Sequence, residues 1–404
     1  MMKIGSAGSD PGNANPVNPF LYLGREERRR PLSGLKGIAM RRFGLAATLA
    51  AVLVLLSASA ALAPPTNKDE LLKDEQHRLQ QSQTLYQGGQ KAGSASNMEV
   101  VGHNDLGGRG FNADVWAHEG FAYIGHWGFT DWAQGSKTRF CPAPPNNGVA
   151  VVDYRDPANP QMVSRLVNPT GTSAEDVVVF TARFGPLAGR DIAAAGLQVC
   201  GGSRTDESFP RGLMLWDVTN PAAPVEVWDW GIIHDAGGPL GPGQGCDPDP
   251  VYGHSAEPSA DGKTVFLAYW DSGFVALDVT NPANPVLLGG IDYAPDEDGD
   301  AHSSSYDDAR RLLFTADEDF CKNSGPEIER GLGYLRVYDF SDPADPVQIG
   351  EYRTPNSLGK AAPGSGDYSI HNPLVVGTTV YASWYSDGVR VLDVSNPTNP
   401  SEIA

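Results

Sequence analysis

The sequence predicts an all-β protein, a β-propeller built of four-stranded blades, and three observations carry that prediction. A motif close to D-x-[ST]-[ND]-P-x-x-P closes an apolar run five times: "VVDYRDPANP" at 151, "LWDVTNPAAP" at 215, "LDVTNPANP" at 277, "VYDFSDPADP" at 337 and "VLDVSNPTNP" at 391. Its aspartates, Asp153, Asp217, Asp278, Asp339 and Asp393, stand 64, 61, 61 and 54 residues apart, a period that marks a repeat array. The 47 glycines and 32 prolines, set among aromatic and β-branched residues, suit short strands joined by tight turns better than helices.

Within a repeat the order of elements is constant. In the third, "HSAEPSADGK" leads to "TVFLAYW", then "GFVALDVT", the turn "NPANP" and finally "VLLGGIDY". These are four short β segments with a "DGK" hairpin between the first two. The fifth repeat runs the same way through "HNPLVVG", "TTVYASWY", "GVRVLDVS" and "NPTNP" to "SEIA". A four-stranded antiparallel meander repeated in this manner is one propeller blade. The recurring turn is architectural, because its prolines fix φ and remove amide donors where the ladder must end. "NMEVVGHNDLGG", from Asn97, resembles a fourth strand. It therefore offers to complete the last blade of a five-bladed ring; otherwise the repeats are part of a six-bladed one.

The segments "VALDVTNPANPVLLGG" and "VRVLDVSNPTNP" resemble the LVIVD repeat family of bacterial, mostly exported propeller proteins, over roughly residues 98–404. The resemblance implies the architecture and no particular activity. It is distantly similar to selenium-binding proteins, among them copper-dependent methanethiol oxidases, whose metal motif does not match here residue by residue.

Residues 1–63 read as a start assigned too early followed by a signal peptide. From Met40, "MRRFGLAATLAAVLVLLSASAALA" has a basic start at Arg41 and Arg42, an apolar Leu45–Leu56 core and a small-x-small end at Ala61–Ala63, as in a secretory signal peptide. Met40 would then be the true start and the mature chain, with no membrane span, would begin near Pro64. The expected destination is the cell envelope or the medium. Residues 64–97 read as a spacer, with a short amphipathic helix before the flexible "GGQKAGSASN". Residues 98–404 are the propeller. Cys141, Cys200, Cys246 and Cys321 form no C-x-x-C pair, and in an exported chain they are candidates for disulfides. The formal charge of −19 argues against nucleic acid as a partner.

Topology converts sequence positions into a surface. In a meander, the starts of strand one and the ends of strand two lie on one face, and strand one is innermost. Asp114, Glu175, Asp176, His254, His302 and His371, at the starts of strand one, should therefore ring the mouth of the axial channel. Neutral imidazoles together with carboxylates suit a divalent transition metal such as Zn, Cu, Fe or Mn. The alternative is that each histidine hydrogen-bonds the neighbouring blade.

The ends of strand two supply further candidates for ligand binding: His126, Trp127, Trp270, Asp271, Trp384 and Tyr385, with "ADEDF" at the equivalent place in the fourth repeat. Insertions at about 128–147, 201–211 and 319–333 would rim the same face. "PDEDGDAH" spaces Asp296, Asp298 and Asp300 as oxygen ligands of a calcium loop are spaced, without the glycine and distal glutamate of an EF-hand. No G-x-S-x-G, H-E-x-x-H, phosphate loop or dinucleotide fingerprint occurs. Two functions follow from these readings. One is an exported scaffold that binds a protein, glycan or cell-surface ligand through the insertion-rich face, with or without a metal at the channel mouth. The other is a metal-dependent hydrolase or oxidase using the His/carboxylate cluster, its catalytic residues unassigned.

Overall fold

The computed structural model describes residues 98–107, 112–127, 147–199, 212–236, 252–270, 272–293, 299–319, 332–358 and 368–404, all within the unit Leu62–Ala404. They form five antiparallel four-stranded sheets in a propeller arrangement, as the repeats predict. Blade 1 comprises β1 (Asn112–His118), β2 (Phe121–His126), β3 (Val149–Asp153) and β4 (Gln161–Leu166). A two-stranded ribbon, β5 (Thr172–Ser173) with β8 (Gln198–Val199), lies beside blade 2, which comprises β6 (Val177–Thr181), β7 (Asp191–Gly196), β9 (Leu213–Asp217) and β10 (Val225–Trp230). Blade 3 is β11 (Ala256–Pro258), β12 (Thr264–Ala268), β13 (Phe274–Asp278) and β14 (Val286–Ile291). Blade 4 is β15 (Ala301–Asp307), β16 (Leu312–Asp317), β17 (Leu335–Asp339) and β18 (Val347–Tyr352). Blade 5 is β19 (His371–Val376), β20 (Thr379–Ser383), β21 (Val389–Asp393) and β22 (Ser401–Glu402). Among the described residues no helix is long and apolar enough to cross a membrane.

The repeated motif has a more specific cause than its prolines. In all five blades the aspartate that ends strand three accepts a hydrogen bond from the amide two residues on: Arg155 to Asp153 at 3.0 Å, Thr219 to Asp217 at 3.0 Å, and Thr280 to Asp278, Ser341 to Asp339 and Ser395 to Asp393 at 2.8 Å. These are Asx turns, in which a side chain replaces the lost ladder partner.

The two offered ring closures resolve against the N-terminal strand. Blade 5 pairs its own β22 with β21, so its fourth position is filled. Residues 98–105 form no strand. They lie along blade 1, where Asn104 Nδ2 donates to the Pro160 carbonyl at 2.9 Å and Leu106 packs on Ala150 and Val152.

Apolar clusters fill four blade interfaces: Tyr123, Val151, Val179 and Met214 between blades 1 and 2; Ile192, Leu215, Val265 and Val275 between 2 and 3; Phe266, Phe274, Leu313 and Tyr338 between 3 and 4; and Phe314, Val337, Val380 and Trp384 between 4 and 5. Blades 5 and 1 are joined by a side-chain hydrogen bond from Asn372 to Asp114 at 3.3 Å. Their remaining faces carry exposed Leu374, Val376, Val389 and Val115.

Candidate metal centre

The innermost strands place chemistry at one end of the channel. His254 precedes β11, His302 is the second residue of β15 and His371 opens β19. The His254 and His302 rings have centroids 4.1 Å apart, and His302 and His371 are also 4.1 Å apart. Three imidazoles from three successive blades therefore form a contiguous row. Two carboxylates flank it: Glu175 Oε2 lies 3.6 Å from His254 Nε2, and Glu318 Oε2 lies 3.5 Å from His302 Nε2. Two ligand-competent sets result, Glu175–His254–His302 and His302–Glu318–His371, with donor atoms in each within 4.8 Å of one another and His302 common to both.

Backbone packing makes this approach possible. Gly196, at the end of β7, faces the His254 carbonyl so closely that a Cβ would stand 1.9 Å from its oxygen, and Gly125 stands in the same relation to Glu175, at 1.8 Å. Any side chain at either position would drive neighbouring blades apart at the mouth.

The electrostatics favour metal-ready, neutral rings. Burial, with the nearby His371 adding to it, pushes the His254 imidazole down to about 3, and burial, with His371 and His254 adding to it, pushes His302 well below its usual range. A buried imidazole disfavours its cation, and crowded imidazolium ions repel. The far nitrogens are oriented by second partners: His254 Nδ1 lies 3.4 Å from Gln198 Nε2 and His302 Nδ1 lies 3.0 Å from Ser303 Oγ. Metal-bound histidines are commonly held in this way.

An aromatic wall backs the row. Trp270 stacks on Tyr252 at 5.3 Å and lies against His254 at 5.1 Å and His302 at 6.3 Å. Tyr385 meets His371 edge-on at 5.6 Å, and its hydroxyl donates to Glu318. Both residues take left-handed backbone angles, φ 43° at Trp270 and 46° at Tyr385. Such strain in a non-glycine residue must be held by its surroundings and clusters at functional sites.

The other candidates separate from the row. Asp176, beside Glu175 in the connection between β5 and β6, does not join the row; it accepts the Ala256 amide at 3.1 Å. Burial and the neighbouring Asp114 raise it to about 8. Asp114 accepts from Asn372 instead of joining the imidazoles, and burial raises it too. Trp384 is fully buried and packs edge-on against Tyr352 at 5.7 Å, in the core between blades 4 and 5 and not at the mouth. His126 is buried and bridges to Ala174, and Trp127 beside it is half-buried. Asp271, Asp296 and Asp298, the four cysteines, most of each insertion, and residues 1–97 lie outside the described residues, whereas Asp300 accepts the Glu318 amide through its carbonyl at 2.9 Å.

Glu318 is the residue that sequence reasoning did not select. "ADEDF" offers three acids in a row, and the choice depends on where β16 ends. Asp317, its last residue, is buried under Tyr293 and Arg336, which leaves the next carboxylate for the mouth.

Fold and site together define a propeller with a row of three histidines at the starts of its innermost strands. The model of the LVIVD repeat matches residues 109–130, 253–292 and 380–404, which span the first two strands of blade 1, all of blade 3 and the outer strands of blade 5. The chain thus carries LVIVD repeats in a five-bladed arrangement. No curated protein matches it in sequence. Among solved structures it is similar to Saccharomyces cerevisiae Sqt1, with 9% identity, a TM-score of 0.44, and 72% of this chain and 60% of that one covered. It is also similar to the β-propeller domain of Myceliophteria thermophila Cps50 (Swd1), with 12% identity, a TM-score of 0.40 and 72% of each chain covered. Neither likeness supports a conclusion about activity.

Proposed function

We propose that this chain is an exported binding propeller whose channel mouth holds a divalent transition metal through His254, His302 and His371, with Glu175 and Glu318 as flanking oxygen ligands. The observation that carries the reading is the row of three imidazoles at 4.1 Å steps, of which His254 and His302 are buried and kept neutral, each with a carboxylate against its Nε2 atom. Nitrogen and oxygen donors in this proportion suit Zn, Mn, Fe or Cu. The open side of the row, rimmed by Trp270 and Tyr385, would receive a ligand that coordinates the ion: a protein carboxylate, a glycan or another cell-surface group. Export rests on the signal-peptide reading of Met40–Ala63.

A second reading, a metal-dependent hydrolase or oxidase, draws on the Tyr385 hydroxyl. It touches Glu318 beside His371 and would supply an acid–base group next to the ion. Elemental analysis of purified protein tests the metal claim. About one equivalent of a transition metal, lost in a folded His254→Ala/His302→Ala variant, supports it; metal content unaffected by that variant overturns it. Turnover of ester, phosphoester or thiol substrates that is abolished in Tyr385→Phe would separate the second reading from the first.

A further inference from the structure

A second set of donors lies at the opposite end of the blades. His118 ends β1, Glu119 begins the two-residue turn into β2, and Asp191 opens β7 of the neighbouring blade. The sequence gives no spacing reason to join them, because seventy-odd residues separate the hairpin from Asp191. The fold brings the three together, each offering one ligand atom within 4.8 Å of the others.

We infer that His118, Glu119 and Asp191 form a second divalent transition-metal site, one that braces blade 1 to blade 2. His118 Nε2 is shielded from solvent and makes no hydrogen bond among the described residues, although Asp191 Oδ1 is 3.3 Å away. An imidazole nitrogen held beside a carboxylate oxygen, without the geometry of a hydrogen bond between them, is placed as a ligand lone pair is placed. Asp191 is itself fixed: its Oδ1 accepts from Thr181 Oγ1 at 2.8 Å and its amide donates to Thr219 Oγ1 at 3.0 Å. A ligand carboxylate oriented by a neighbouring hydroxyl, as Thr181 orients this one, is the usual arrangement around bound metals.

Glu119 is presented by a backbone that few residues adopt, with φ 47° before Gly120 at φ 85°, the two-residue turn that suits the twist of a hairpin. Two neighbouring basic side chains are engaged elsewhere: Arg190, next to Asp191 in sequence, with Asp217 at 3.1 Å, and Arg155, packed against the Gly120 turn, with Asp153. No lysine or arginine therefore neutralises Glu119 and Asp191 among the described contacts. One imidazole and two carboxylates suit Zn or Mn, with remaining positions open to water. The alternative is a simple His118–Asp191 ion pair between blades, which would take up no metal.

The test is equilibrium titration of metal-stripped, untagged protein with zinc, with bound metal counted after gel filtration. Wild type should bind one equivalent more than His118→Ala. The His254→Ala/His302→Ala variant should keep the equivalent that His118→Ala loses, so the two sites fail independently. Zinc should also raise the melting temperature of wild type more than that of Glu119→Gln, a turn variant with little reason to misfold. Equal stoichiometry in wild type and His118→Ala, or an equal zinc-induced shift in wild type and Glu119→Gln if His118→Ala does not fold, overturns the proposal.

Discussion

The His254 and His302 rings meet edge to face with centroids 4.1 Å apart, although all four strands of blade 3 lie between the two residues in sequence. Nothing local produces that contact. It exists because strand one of every blade is innermost, so residues one repeat apart become neighbours across a blade boundary.

The approach of the blades should be sensitive to one glycine. Gly196→Ala would set a methyl 1.9 Å from the His254 carbonyl oxygen, and backbone on both sides cannot move without opening the mouth. The variant should lose roughly 1–3 kcal/mol of stability, as overpacked positions do, and bind zinc at least tenfold more weakly. Urea unfolding and zinc titration check the two effects; an unchanged zinc affinity in a folded Gly196→Ala protein would separate blade spacing from the site.

The buried imidazoles should make the metal-free protein acid-sensitive. His254 stays neutral in the fold down to about 3, whereas in the unfolded chain it takes a proton near its ordinary value. Between roughly pH 6.5 and 3 the unfolded state therefore binds the extra proton, and stability falls with falling pH. His254→Gln should flatten that limb, gaining on wild type as pH drops. Chemical denaturation at a series of pH values measures it, and parallel curves would contradict the assigned burial.

Glu257 should act in the opposite sense. Burial raises it to about 7, against the lowering effect of the Tyr306 amide that it accepts at 3.2 Å. The folded state then holds a proton that the unfolded state releases above about 4.5, so this group's contribution is lost as pH rises from there to about 7. Glu257→Gln keeps an acceptor for the amide and removes the titration. It should be more stable than wild type at pH 8 by ~1–3 kcal/mol and similar at pH 4, read from melting or denaturant midpoints.

The unevenly covered blade should open first. Internal interfaces bury Leu267, Phe274 and Val275 fully, while Leu374, Val376 and Val389 of blade 5 stay more than half exposed. Few buried apolar contacts mean low local opening free energies. Amides of β19–β21 should exchange with deuterium faster than those of β12 and β13, as peptide-resolved hydrogen exchange would show. Uniform protection across the blades would mean that something covers this face.

The repeats made the blades legible, since each four-strand unit carries its own turn chemistry and the period can be counted. They also made the mouth legible to the level of strand starts, which is how His254, His302, His371 and Glu175 could be grouped without coordinates. Pairing each acid with a ring was not legible. Glu175 and Asp176 are adjacent in the connection into β6, and only the path of that connection decides which meets His254. Trp384 and Tyr385 pose the same problem: one is core and the other backs the imidazoles. The Asp114–Asn372 link between first and last blades, and the His118–Asp191 contact, depend on how neighbouring sheets are set around the axis, which no single repeat encodes. The N-terminal segment looked like a fourth strand because "MEVVGHNDLGG" resembles "PVLLGGIDY", but β22 already occupies that edge.

The most direct measurement is anomalous diffraction at the zinc edge from crystals of metal-loaded protein. A peak in contact with His302, and with ring nitrogens of His254 or His371 and a carboxylate of Glu175 or Glu318, is the predicted result. A fully occupied zinc elsewhere, with the three imidazoles hydrogen-bonded only to protein groups, would contradict the account.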